Sequence, residues 1–142
     1  MSQTVHLLCG VPGSGKTWVA NKLTTSSHNE ARFMYIPHDE HQVDQYYLYL
    51  VQAAKRGTVP VLAEAPFRVS VLIEELERFG LEVKTYYITD DESVIKARYE
   101  ARSHKPFPKQ HSSNLARYNA RQWDVRGTSD QILNHLKGLI HG

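Results

Sequence analysis

The sequence predicts an α/β fold: an open parallel sheet covered by helices on both faces. Apolar runs of strand length alternate with longer segments of helical period, glycine and proline punctuate the joins, and no repeat or low-complexity tract interrupts the pattern. At 142 residues, 41% hydrophobic and 23% charged, the chain suits one core and is short for two ordinary domains. Residues 1–142 are therefore expected to form a single domain.

Thr4 to Cys9 reads as a buried first strand, and Lys16 to about Thr25 as the helix that follows. "ARFMYIP" is a second strand that stops at Pro37. From Asp39 to Arg56 the apolar positions Val43, Tyr46, Tyr47, Leu50, Val51 and Ala54 recur at three and four, the spacing of an amphipathic helix, and Gly57 ends it. "TVPVLAEAPF" is a third strand, with Pro60 near its start where a missing amide is tolerated. "VSVLIEELERFG" is a helix closed by Gly80, and "LEVKTYYIT" a fourth strand. "TDDESVIKARYEARS" opens with cap-forming residues and early acids, which start a helix. "HKPFPKQHSSN" reads as a proline-broken loop, and helices over about Ser113–Gln122 and Ser129–Ile140 close the chain. Three successive strand–helix crossovers favour parallel pairing, and four strands are legible.

The join after the first strand is unusual. Gly10, Val11, Pro12, Gly13, Ser14, Gly15, Lys16 and Thr17 spell G-x-x-x-x-G-K-[ST] between a strand and a helix. A loop that wraps a polyphosphate must turn its amides inward and bring its backbone close to the oxygens, and glycine permits both. The helix opened by Lys16 aims its free amides at the same anion. Lys16 is expected to reach the β and γ phosphates and the Thr17 hydroxyl to ligate Mg²⁺. Pro12, Ser14 and Trp18 complete the expected contacts to ATP.

This stretch resembles the Walker A motif of P-loop NTPases, and its GxPGSGK[ST] spelling is similar to that of small kinases of the polynucleotide kinase-like, zeta-toxin-like group, phage-type enzymes among them. The resemblance covers the first strand and helix and implies a P-loop NTPase fold of four to five strands. A motor or switch protein usually ends an apolar strand in an aspartate that orients Mg²⁺, whereas "VPVLAEAPF" carries Glu64. Glu64 is expected to hold Mg²⁺ through water, to bind the acceptor, or to cap a helix. Asp39, just beyond "FMYIPH", looks like the catalytic aspartate of phage-type polynucleotide 5′-kinases, a base for the attacking hydroxyl; it also suits a helix N-cap. Glu40 is the competing carboxylate, and His38 a flanking contact. That family often places an arginine next, and "HDEHQVDQ" has none, which leaves His41, Gln42 or Arg68 to grip the acceptor.

Charge is uneven along the chain. From Asp39 to Ser93 there are eleven acidic residues against five basic, and from Val94 to Arg126 eight basic against two acidic. Arg98 and Arg102 share one helical face, as Arg117 and Arg121 are expected to, and Lys105 and Lys109 lie between. A basic helix-loop-helix over about residues 94–122 resembles the lid of polynucleotide and related kinases, whose arginines close over the triphosphate; Arg102, nearest the loop, is the first choice, with Arg98 beside it. Trp123 and Tyr118 flank basic residues, which leaves base stacking open, whereas Tyr46, Tyr47, Tyr86 and Tyr87 read as core. The lone Cys9 excludes an internal disulfide and reads as an inert core thiol, and the eight histidines show no metal-ligand spacing. No membrane span or secretory signal is legible, so a cytoplasmic protein is expected.

These features lead to an ATP- and Mg²⁺-dependent kinase whose acceptor hydroxyl belongs to nucleic acid, either a polynucleotide 5′-hydroxyl or a hydroxymethylated base. Two alternatives stay open: a kinase for a small molecule, nucleotide or nucleoside, and an ATP-binding module without turnover.

Overall fold

The computed structural model describes residues 4–25, 34–36, 46–56, 61–65 and 69–141. In chain order they form β1 (Thr4–Cys9), α1 (Lys16–Thr25), β2 (Met34–Ile36), α2 (Tyr46–Arg56), β3 (Val61–Glu64), α3 (Val69–Arg78), β4 (Glu82–Ile88), α4 (Glu92–Ser103), α5 (Lys109–Ala120), β5 (Val125–Gly127) and α6 (Ser129–His141). The sheet has five strands in the order β2-β3-β1-β4-β5, with every pair parallel.

Strand periodicity sorts the core into two layers. Val5, Leu7 and Cys9 of β1 point to one side, where they meet Leu50 and Val51 of α2, Leu72 and Leu76 of α3, and Leu115 and Tyr118 of α5. Leu8 points to the other, against Val19, Ala20 and Leu23 of α1 and Ile132, Leu133 and Leu136 of α6. Both faces are covered, so β1 is apolar nearly throughout instead of alternating. Each fully buried leucine of this kind, Leu7 and Leu62 among them, contributes about 1.5–3 kcal/mol relative to exposure.

Five strands lie within the expected four to five, and two elements are placed by the structure alone. The fifth strand was not legible: Val125–Gly127 is three residues long, too short for any period to show. Its register is pinned from the side, since Asp124 Oδ2 accepts hydrogen bonds from the Thr85 amide at 2.8 Å and from Thr85 Oγ1 at 3.1 Å. The second lid helix begins at Lys109, not near Ser113, because Pro108 in extended backbone (φ −63°, ψ 145°) ends the loop and starts the helix at once. That helix ends at Ala120, which places Arg121 beyond it. α4 closes at His104, whose left-handed φ of 59° lets its amide reach the Glu100 carbonyl at 3.0 Å.

Parallel register brings strand ends together at one edge. Leu8 pairs with Glu64 on β3, Cys9 pairs with Tyr87 on β4, and the Ala65 amide donates to the Leu8 carbonyl at 2.9 Å. The glycine loop therefore leaves β1 with Glu64 on one side and the β4–α4 turn on the other.

Candidate phosphate-binding and phosphoryl-transfer site

The loop after β1 is built where glycine is required. Gly10, Gly13 and Gly15 have φ of 156°, 93° and 110°. A Cβ on Gly13 would lie 2.7 Å from the Ile95 carbonyl oxygen and 3.2 Å from Tyr99 Cβ, so α4 lies directly against the loop. A Cβ on Gly15 would lie 3.1 Å from Ser129 Cβ, so the β5–α6 turn closes the other flank. Ser14 is buried, its amide donates to the Val11 carbonyl at 3.1 Å, and among the described residues its Oγ has no hydrogen-bond partner. An orphaned buried hydroxyl in such a wall fits a loop shaped for a polar guest.

The charges agree. α1 begins at Lys16 and has no acidic residue in its first turn, so no side chain of the helix itself offsets its positive end. Burial holds the Lys16 ammonium below its ordinary pKa; the Glu64 carboxylate opposes that shift and the Arg102 guanidinium adds to it. Thr17 Oγ1 donates to Glu64 Oε1 at 3.0 Å, and Tyr46 of α2 donates to the Glu64 carbonyl at 2.8 Å, fixing the end of β3. Thr17 and Glu64 thus place two hard oxygen donors side by side, a donor set that fits Mg²⁺, which keeps several waters and takes one or two protein oxygens.

No protein-family model matches the chain, and no curated protein matches it. Solved structures do. A gluconokinase from Sinorhizobium meliloti 1021 superposes with a TM-score of 0.59 over 99% of this chain and 95% of its own, at 13% identity. A sugar kinase from Janibacter sp. HTCC2649 gives 0.62 over 99% and 95%, at 17% identity. A de novo designed P-loop fold protein gives 0.54 over 99% and 92%, at 17% identity. The fold is that of the P-loop NTPases. These neighbours lend no support to a polynucleotide kinase-like or phage-type subgroup.

Around the P-loop the structure sorts the remaining expectations. Asp39, Glu40, His38, His41, Gln42 and Arg68 lie outside the described residues. Arg102 is exposed and near enough to Lys16 for its charge to act there, whereas Arg98 pairs with Asp90 at 3.6 Å, an exposed contact of small energetic weight. Arg121 does not share a helical face with Arg117: it donates to Ser70 Oγ at 2.8 Å and lies 4.9 Å over the Trp123 ring. Trp123 stacks on Tyr87 at 5.0 Å and donates to the Tyr118 carbonyl, and Tyr118 is buried, so these rings build core and offer no platform for a base. Trp18 is exposed on the first turn of α1, with Lys22 at 5.8 Å from its ring. Cys9 is fully buried and its thiol is pushed up to about 12, chiefly by burial, which makes it inert as read from sequence.

Two residues near the P-loop had no signal in the sequence. Tyr99 meets Gly13, and its ring packs against Phe107 at 5.3 Å and His111 at 5.4 Å. Tyr99 sits one helical turn before Arg102 and His111 two residues after Lys109, and aromatic spacing alone does not separate a lid contact from core.

A cavity of about 540 Å³ adjoins this site. It is lined by the β4–α4 turn (Thr89, Asp90, Asp91), the inner face of α5 (Leu115, Ala116, Asn119) and the β5–α6 turn, whose Thr128 precedes the Ser129 that touches Gly15. Among the described residues no helix is long and apolar enough to cross a membrane, and no group of three His, Cys, Asp or Glu is placed to hold a metal.

Proposed function

We propose that the protein is a kinase that transfers the γ-phosphoryl group of ATP to a hydroxyl of a small polar molecule. The observation that carries this reading is the cradle itself: three glycines at positive φ after β1, followed by a desolvated Lys16 and a Thr17 joined to Glu64. The gluconokinase and the sugar kinase with the same fold support a small-molecule acceptor over nucleic acid.

In this reading the loop amides and the α1 N-terminus bind the phosphates, and Lys16 sets its charge against the β and γ oxygens. Thr17 and Glu64 would hold Mg²⁺, which supplies charge neutralisation between the phosphates. Arg102 adds a cation as charge spreads over the transferring group. Asp39 is assigned as the base: its carboxylate takes the hydroxyl proton, the acceptor oxygen bonds to the γ-phosphorus, and the bond to the bridging oxygen breaks to release ADP. The cavity beside the β5–α6 turn is large enough for the nucleoside.

A second reading retains a nucleic-acid acceptor. It rests on the exposed cations Lys96, Arg98, Arg102, Lys105, Lys109 and Arg117 along the lid.

The test offers labelled ATP with a panel of sugars, sugar acids, polyols and nucleosides beside oligonucleotides and hydroxymethylated DNA. Label on a small hydroxyl compound supports the first reading. Label on DNA or RNA, with affinity falling steeply as salt rises, replaces it with the second. ATP binding with no acceptor labelled leaves a binding module and overturns both.

A further inference from the structure

His111 is a lid residue that neither the motif nor the arginine pattern singles out. It lies in the first turn of α5 and is half-buried in a three-ring cluster, 5.4 Å from Tyr99 and 5.5 Å from Phe107 between ring centroids. Tyr99 belongs to α4 and touches the P-loop at Gly13, so the histidine ring stands one side chain away from the phosphate cradle. The three rings join α4, the inter-helix loop and α5, which fixes where the imidazole sits when the lid lies on the loop.

We propose that His111 is a lid-borne triphosphate ligand that takes up a proton from solvent when the P-loop is loaded, so that an imidazolium faces the phosphates beside Lys16. This rests on the proposed ATP site. Among the described residues the groups around the ring include the Tyr99 phenol from α4 and the uncharged Phe107 ring from the loop, and the Lys16 charge from α1 acts on it. Without phosphates, burial and the Lys16 charge both hold the imidazole below its ordinary 6.5, which keeps it neutral at neutral pH. A triphosphate brings several negative charges against both cations and reverses the sign of the local field. Uptake then adds a charge at the moment the anion arrives, and among the described residues the empty site carries no further cation beyond Lys16 and Arg102.

The experiment measures calorimetric binding of a non-hydrolysable ATP analogue with Mg²⁺ in buffers of low and high ionisation enthalpy, at pH 7.0 and 8.5, for the wild type and His111→Gln. At pH 7.0 the wild type is expected to take up a fraction of a proton that H111Q does not. H111Q should bind roughly tenfold more weakly at pH 7.0 and nearly as well as the wild type at pH 8.5, the size of one lost charge-assisted hydrogen bond. Equal proton counts in the two proteins overturn the proposal while leaving the ATP site intact. No binding to the wild type overturns the ATP site and this inference with it. NMR titration of wild-type imidazoles needs no variant: the ring with contacts to Tyr99 should shift its midpoint above 6.5 on loading, and an unmoved midpoint overturns the assignment.

Discussion

Thr17 Oγ1 donates a 3.0 Å hydrogen bond to Glu64 Oε1, joining the start of α1 to the end of β3 across 47 positions of chain. Glu64→Gln keeps the side chain's length and its ability to accept this bond but removes the charge that a divalent cation needs. The magnesium concentration for half-maximal turnover should rise about tenfold to a hundredfold. An unchanged magnesium requirement would return Glu64 to a purely structural role.

Lys16 and Arg102 place two cations near one anion site, and the Arg102 charge disfavours the Lys16 ammonium. Lys16→Met should lower kcat by about a hundredfold to a thousandfold, and Arg102→Ala should lower kcat more than it weakens ATP binding. Because burial holds Lys16 below its usual 10.5 in the empty site, kcat/KM, which reports the free enzyme, should fall on the alkaline side earlier than an ordinary lysine would allow. A pH–rate profile flat to pH 10 would contradict this assignment.

Gly13 and Gly80 separate close packing from backbone strain. Both have positive φ, 93° and 81°, but a Cβ at Gly13 meets the Ile95 carbonyl at 2.7 Å while one at Gly80 meets nothing within 4 Å. Gly80→Ala should cost about 1–2 kcal/mol, the strain of a left-handed residue alone. Gly13→Ala should cost more than that, since α4 must also shift, and should weaken ATP binding as well. Equal losses in urea denaturation would remove the close contact from the account.

His6 of β1 sits against Tyr86, its Nδ1 2.6 Å from the phenol oxygen. Burial pushes Tyr86 up to about 12, so the phenol stays protonated beside the imidazole. Burial first, then the Lys84 and His135 charges, lower the His6 pKa from 6.5 to about 4. The unfolded chain binds that proton from 6.5 downward and the folded chain only near 4, so stability is lost as pH falls through this window. Denaturation midpoints between these values should slope with pH in the wild type and flatten in His6→Gln. A parallel slope in both proteins would acquit His6.

Much of the site could be read from the chain because its parts are local. Gly10 to Thr17 are consecutive, and their strand and helix flank them directly, so spelling and placement together define the P-loop. The contacts that cross the sheet were not readable in this way. Glu64 stood out as a carboxylate at a strand end, but its bond to Thr17 depends on the β1–β3 register, which pairs Leu8 with Glu64. Arg98 and Arg102 looked alike at four-residue spacing, and the fold gave one of them to Asp90. Trp123 and Tyr118 looked available beside basic residues until Tyr87 and the end of α5 enclosed them.

By itself the sequence determined the alternation of strands and helices, the parallel sheet and the phosphate-binding loop, since each follows from residue type and spacing over a few turns of chain. Strand order, the short edge strand held by Asp124, and the meeting of Tyr99 with Gly13 and His111 were decided only by the tertiary structure. The reason is physical: periodicity reports which face a residue turns inward, whereas its partner there is chosen by packing among segments far apart in the chain.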